Sequence, residues 1–242
     1  MNIAVIFAGG SGTRMNTRSK PKQFLELKGK PIIIYTLELF DNHPMIDGII
    51  VVCLDSWIPF LHKMLKKFEI NKVVTIVSGG DSGQDSIYKG LCAAETYCKG
   101  MNDENAVVLI HDGVRPLIVD ETITDNIESV HKNGTAITVV PAIETFVIQN
   151  DEGQMIIPDR STCLLARAPQ SFYLRDILSV HRKNMEGENI SFIDSCSMMS
   201  FYGFKLATVV GPMENIKITT PTDYFIFKAM VEVHENQQIF GF

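Results

Sequence analysis

The sequence predicts an α/β protein: a Rossmann-like, mostly parallel sheet flanked by helices, with a projecting β-arm. Three observations carry that expectation. Short β-branched runs recur in the first half, at IAVIFA (3–8), GIIVVCL (48–54), KVVTIV (72–77) and AVVLIH (106–111). Apolar runs without alternation suit strands covered on both faces. Between them lie segments with helical periodicity, and strands alternating with helices build right-handed βαβ units. Near residue 141 this texture gives way to PAIETFVIQNDEGQMIIPDRSTCLLARAPQSF (141–172), which carries strand-like runs but no helical period.

Taken in order, the first strand run passes directly into the glycine turn AGGSGTRM (8–15). PIIIYTLELF (31–40) opens on a proline at a plausible first helical position. SWIPFLHKMLKKF (56–68) and DSIYKGLCAAETYC (85–98) space their apolar residues by three and four. In 141–172, two strand-like runs are split by NDEG, a hairpin signal, and Pro141, Pro158 and Pro169 punctuate the stretch. Two readings stand there: a projecting arm of the kind that serves dimerisation, or an extra antiparallel edge strand of the main sheet. Helical period returns at YLRDILSVHRKN (173–184), strand character at FKLATVVG (204–211), and a last helix near TDYFIFKAMVEVH (222–234). The 242 residues read as one domain, 1–242, with the arm at about 141–172 inserted in it.

Composition excludes several classes. A formal charge of −6 argues against a nucleic-acid binder. No apolar stretch approaches the roughly 18 residues that span a bilayer, and MNIAVIFAGG has neither the basic start nor the long apolar region of a signal peptide. The expectation is therefore a cytoplasmic protein that engages neither membrane nor nucleic acid. Five scattered cysteines without a CxxC pair fit reduced thiols better than disulfides or a zinc site.

The glycine turn invites three nucleotide readings. A phosphate-binding P-loop needs Gly-Lys-Ser/Thr, which is missing. A dinucleotide fingerprint needs GxGxxG; Gly10 and Gly12 supply two glycines, but Met15 fills the third position, where close packing wants a small residue. That disfavours a nicotinamide-dependent reductase. What remains is a glycine turn followed by Arg14, Arg18, Lys20, Lys22, Lys28 and Lys30, with Glu26 the one acid among them. Backbone N–H groups exposed by glycines, together with Arg and Lys, are what a polyphosphate requires. An ordinary solvated basic face after a strand-to-helix turn is the plainer alternative.

AGGSGTRM followed by PKQF resembles the signature of the cytidylyltransferases that make CDP-alcohols from polyol phosphates. Two related groups share it: the methylerythritol-phosphate enzymes of isoprenoid biosynthesis, and the ribitol-5-phosphate enzymes that make CDP-ribitol. The likeness continues through GGDSGQDSIYKGL (79–91), IHDGVRPLI (110–118), DRSTCLLARAPQSF (159–172) and NIKITTPTD (215–223), in family order over nearly the whole chain. The fold it implies is the nucleotide-diphospho-sugar transferase type. The substrates it implies are CTP and a polyol phosphate, with Mg²⁺ or another divalent cation as cofactor and a homodimer formed through the arm.

The resemblance also assigns roles. Arg14, Lys22 and Lys217 would act on the triphosphate and the transition state. Ala8, Gly9, Gly10, Gly12, Gly79, Gly80 and Ser86 would bind the nucleotide. Asp112 would hold the metal, at the strand end where ligands of open α/β sheets bind. Arg115, Thr145 and Arg160 would bind the acceptor, the last reaching across a dimer interface. Plainer readings stand beside several of these. On these readings Arg115 serves to pair Asp112, Lys217 belongs to an amphipathic strand, and Asp81, Ser82 or Asp85 caps a helix. His111 reads as a packed strand-end residue.

The chain departs from the methylerythritol pattern at Gly83 (usually arginine), at ETFVI (144–148, usually a DT-x-K-R run), and at Ala168 and Ile193 (each usually threonine). The donor half is intact and the acceptor half altered. Ribitol 5-phosphate is the leading acceptor, and methylerythritol phosphate the alternative. A nucleotide-binding protein without turnover is a further alternative, which the full set Arg14, Lys22, Asp112 and Lys217 opposes.

Overall fold

Strand β1 (Asn2–Ala8) lies inside the sheet, as its sequence requires, with Ile3 to Ile6 inaccessible to solvent. The computed structural model describes residues 1–9 and 20–240, with side chains through Asn236. A 3₁₀ turn (Lys22–Phe24) and a small hairpin, β2 (Glu26–Leu27) with β3 (Lys30–Pro31), lead into helix α1 (Ile32–Asn42). The alternation continues through β4 (Gly48–Cys53), α2 (Ile58–Lys67), β5 (Val73–Ser78), α3 (Gly83–Gly100) and β6 (Val107–Asp112). Next come α4 (Asp120–Asn133), β7 (Thr135–Pro141) and a hairpin of β8 (Ile148–Gln149) with β9 (Met155–Ile156). The chain ends with β10 (Leu164–Tyr173), α5 (Leu174–Glu186), α6 (Ser195–Phe201), β11 (Thr208–Val210) and α7 (Pro221–Phe240).

Seven strands form one sheet in the order β11-β7-β10-β6-β1-β4-β5. Its pairings are parallel except for those of β10, which runs antiparallel between β6 and β7. Alternate residues of β1 feed two cores. Ala4, Ile6 and Ala8 pack with α1, α2 and α4, while Ile3 and Val5 pack with α3, α5 and α6. Glycine sets the second contact: a Cβ at Gly90 would lie 2.6 Å from Val5 and 2.8 Å from Val52. A third cluster joins Val114 and Leu117 to Ile218 and Phe227, so that the segment before α7 rests against the loop after β6.

The stretch 141–172 divides in two, which corrects the expected arm boundaries. Only the part around β8 and β9 stands apart from the main sheet. β10 is neither arm nor edge strand but an interior strand, with Ala168 to Phe172 buried. Pro169 is tolerated inside the sheet because the pairing with β7 shifts register between Ala166 and Gln170, where the ladder bond is already interrupted.

His181 of α5 is 4% exposed, stacks on Tyr88 at 5.5 Å, and has no partner for Nε2 among the described residues. Burial pushes its pKa down to about 4. The ring is thus neutral in the fold but titrates near 6.5 in the unfolded chain. Its contribution to stability is complete above about pH 6.5 and is lost as pH falls toward 4. We expect His181→Phe to change the melting temperature little at pH 7. At pH 4.5 it should remove a destabilisation on the order of 2 kcal/mol. A melting-temperature difference that stays constant across that range would refute this account.

Candidate active site

The carboxyl ends of β1, β5 and β6 open onto one edge of the sheet, where ligands of open α/β folds bind. The PKQF stretch is fastened there by two of its own side chains. Gln23, 1% exposed, donates its Nε2–H to the Ala8 carbonyl at 2.5 Å. Phe24 is inaccessible to solvent and stacks on Trp57 at 4.8 Å. The turn is thereby held against the end of β1, and Lys22 lines the cavity beside it.

The loop after β5 supplies the opposite wall. Gly79 N–H donates to the Cys53 carbonyl, and Gly80 N–H donates to Ser86 Oγ at 3.0 Å. Ser82 caps α3 by accepting from Asp85 N–H, so the capping role read from sequence is real. A Cβ on Gly80 would fall 1.7 Å from Asp85 Oδ2, and one on Gly9 would fall 3.2 Å from Ser86 Oγ. Gly9 and the loop after β5 thus approach each other around the buried Ser86 hydroxyl, which a side chain at Gly9 would crowd.

Asp112 ends β6 and is 5% exposed. Its Oδ2 accepts from Arg115 Nε at 2.7 Å, and its Oδ1 faces Lys217 Nζ at 2.5 Å. Arg115 therefore does pair with Asp112, the plainer role foreseen for it. Burial works against the Asp112 carboxylate, but the Arg115 and Lys217 charges and hydrogen bonds outweigh it and hold the pKa at about 2. Lys217 is delivered by a polar splice that the sequence did not advertise. Asn215, inaccessible to solvent, donates Nδ2–H to the Ala168 carbonyl and accepts from Arg115 Nη1 on its own carbonyl. Ile218 N–H then bonds the Val114 carbonyl. His111 is buried as expected, its Nε2 3.1 Å from the Arg115 carbonyl, and burial lowers its pKa to about 4.

Two cavities meet at this point. One, of about 400 Å³, is bounded by Ala8, Gly9, Lys22, Gly80 and Ser86. The other, of about 320 Å³, is bounded by Arg115, Arg167, Gln170 and Asp194. Phe7, Gly83, Asp112 and Lys217 line both. Gly79 does not line the first cavity, although a Cβ there would lie 3.4 Å from Ser86 Oγ, and Gly10, Gly12 and Arg14 lie outside the described residues. Thr145 and Arg160 are exposed on the arm segment and line neither cavity; Arg160 Nη1 donates to the Ile143 carbonyl. Sequence reasoning missed Gln23, Asn215 and Arg167. For Gln23 the signal was a glutamine directly before a core phenylalanine.

An open α/β sheet whose carboxyl edge holds two abutting cavities, with the Lys217–Asp112 pair at their junction and further cations on their walls, fits an enzyme that joins two phosphorylated molecules, a nucleotidyltransferase. The chain belongs to the 2-C-methyl-D-erythritol 4-phosphate cytidylyltransferase family, IspD, whose model matches residues 2–233. A ribitol-5-phosphate cytidylyltransferase of Vibrio parahaemolyticus is 55% identical over the whole of both chains. A 2-C-methyl-D-erythritol 4-phosphate cytidylyltransferase of Clostridium botulinum is 38% identical over 232 residues, 96% of this chain and 97% of the relative. The crystal structure of 4-diphosphocytidyl-2C-methyl-D-erythritol synthase from Anaerococcus prevotii superposes with a TM-score of 0.81, at 27% identity and over 96% of each chain. The Rossmann-like fold and the cytidylyltransferase class expected from the sequence both stand.

Proposed function

We propose that the chain transfers CMP from CTP to ribitol 5-phosphate, releasing pyrophosphate and forming CDP-ribitol. The observation that carries this reading is the pair of cavities sharing Asp112 and Lys217, one for each phosphorylated partner. Full-length identity of 55% to the Vibrio ribitol-5-phosphate enzyme supports the choice of acceptor.

In the reaction, a phosphate oxygen of the acceptor attacks the α-phosphorus of CTP. The bond from that phosphorus to the bridging oxygen breaks, and its electron pair leaves with pyrophosphate. A phosphate monoester, with second pKa about 6, is already largely dianionic at neutral pH and needs no general base. The enzyme's task is to bring two polyanions together and to stabilise charge on the leaving group. Lys22 and Arg14 would hold the triphosphate, and Lys217 would stand at the junction where the new bond forms. Gly79 and Gly80 would offer close backbone approach to the nucleoside, with the Ser86 hydroxyl donating toward the cytosine.

Asp112 is the one acid lining both cavities, with Asp81 on the wall of the first and Asp194 on that of the second, and no cluster of three His, Cys, Asp or Glu side chains suited to a metal occurs among the described residues. One carboxylate beside a triphosphate is nevertheless the donor set that Mg²⁺ accepts, completed by phosphate oxygens and water. Mg²⁺, or another divalent cation, would be held by Asp112 and would neutralise phosphate charge.

A homodimer accounts for the apolar surface of the arm. Ile143, Val147, Met155 and Ile157 are exposed there, Met155 by 71%. A second copy covering them would bring Thr145 and Arg160 toward the partner's acceptor cavity. The free cysteines fit a reducing, cytoplasmic setting, and no described helix is long and apolar enough to cross a membrane.

The test is pyrophosphate release with CTP and Mg²⁺ against ribitol, methylerythritol, ribulose, xylitol and glycerol phosphates. Ribitol 5-phosphate is expected to give the highest kcat/KM. Release with methylerythritol phosphate alone would transfer the chain to the isoprenoid reaction, and no release with any acceptor would overturn the proposal.

A further inference from the structure

Gly83, Ala168 and Ile193 all line the second cavity, and none of the three brings a polar side chain to it. A Cβ at Gly83 would meet nothing within 4 Å, so open space remains at that wall. Ile193 is 98% exposed and turns away from any tight contact. Among the charged side chains of that cavity, one cation is unexplained. Arg167 lies in the register shift of β10, next to Ala168, and lines the same cavity. Its Nε is buried without a hydrogen-bond partner, and no carboxylate pairs with its guanidinium among the described residues.

The nearby charges are already committed. Both oxygens of Asp112 are engaged by Arg115 and Lys217. Asp194 Oδ1 caps α6 through Ser197 N–H and Oγ, and its Oδ2 accepts from Gln170 Nε2 at 3.3 Å. Burial, and after it the like charge of Arg115, lower the Arg167 pKa. A half-buried guanidinium beside another cation and without an anion is unfavourable, and it persists where an anion is to be received. The cavity wall carries Arg115, Arg167 and Lys217 against Asp112 and Asp194, an excess of one positive charge before any substrate enters.

We propose that Arg167 is a phosphate-binding residue of the acceptor cavity, its guanidinium fork receiving the acceptor's phosphate opposite Arg115 and Lys217. A planar fork of N–H donors suits two oxygens of one phosphate group. The space at Gly83 then admits the polyol chain. The inference deepens the proposed function and rests on its assignment of the second cavity to the acceptor.

The test compares the full-length enzyme with Arg167→Met and Arg167→Lys. With CTP and ribitol 5-phosphate, Arg167→Met should raise the acceptor KM at least tenfold while the CTP KM stays within twofold. Arg167→Lys should recover part of the loss. A second readout does not depend on which polyol is the substrate. With CTP present to fill the donor cavity, inorganic phosphate should raise the melting temperature of the wild type and raise that of Arg167→Met much less. Without phosphate, Arg167→Met should melt no lower than wild type, because a half-buried charge without a carboxylate partner among the described residues has been removed. An unchanged acceptor KM with an unchanged phosphate response would overturn the inference, as would a loss of melting temperature with both KM values rising, which marks a structural arginine. If the wild type fails with ribitol 5-phosphate yet keeps a phosphate response that needs Arg167, the acceptor's identity falls and the inference stands.

Discussion

Replacing Asp112 by asparagine should lower kcat by about a hundredfold or more, roughly 2.7 kcal/mol, and lower the melting temperature by roughly 10 °C. Asp112 is the one acid lining both cavities, and it sets the positions of two cations at once. Asparagine keeps the shape but not the charge, so Lys217 is released from the junction and Arg115 is left buried with only the Asn215 carbonyl. Breaking a buried pair by removing one partner costs about 3 kcal/mol or more, and in a chain of this size each kcal/mol moves the midpoint by about 2–4 °C. The Arg115 contact carries most of this, since Lys217 is 39% exposed and better screened. The pH dependence separates electrostatics from packing. Asp112 is held at about 2, below its unfolded value near 3.9. Its contribution is therefore present above about pH 4 and is lost as pH falls toward 2, so the gap between wild type and variant should close there. A variant that melts early but turns over normally would reduce Asp112 to a structural acid.

The sheet was legible because its strands are covered on both faces, which forces unbroken apolar runs at 3–8, 48–54, 72–77 and 106–111. β10 was not, for a specific reason. Its first half, Leu164 to Arg167, alternates exposed and half-buried residues, and Pro169 then interrupts the run. Both features read as arm or edge, and only the register shift against β7 lets the strand continue inward. Helix α4 and strand β7 went unread although signals were present. Asp120 and Glu121 mark the first turn of α4, His131 and Lys132 the last, and Gly134 closes it with φ of 83°.

Within the site, sequence singled out Lys22, Ser86, Asp112 and Lys217, and these four line one cavity. What sequence could not reveal is how they are held. Gln23 and Asn215 act through main-chain partners distant in sequence, Ala8 and Ala168, and a buried amide leaves no periodicity to detect. Arg167 escaped notice because it sits among small residues in a stretch that reads as extended arm. Its significance appears only when its lack of a carboxylate partner among the described residues is seen in three dimensions.

Lys22→Ala should reduce kcat with CTP and the acceptor by about a hundredfold, the scale of removing one preorganised donor from a transition state, while leaving the melting temperature within about 1–2 °C, as expected for a surface-accessible change. Two structural facts separate these effects. The turn that carries Lys22 is anchored by its neighbours, Gln23 on the Ala8 carbonyl and Phe24 in the Trp57 stack, so truncating the lysine leaves the turn in place. The lysine itself is only partly buried and lines the donor cavity, where a fixed charge stabilises phosphate oxygens without reorganising when the bond breaks. Gln23→Ala gives the complementary result. It removes the anchor but not the charge, leaves the Ala8 carbonyl without its buried donor, and should lower the melting temperature while costing less in kcat than Lys22→Ala. Lys22→Arg should restore part of the rate, since charge is kept but its position shifts. If Lys22→Ala turns over at the wild-type rate, the basic run after the glycine turn is a solvated face, and the triphosphate must be held by Arg14 and Lys217 alone.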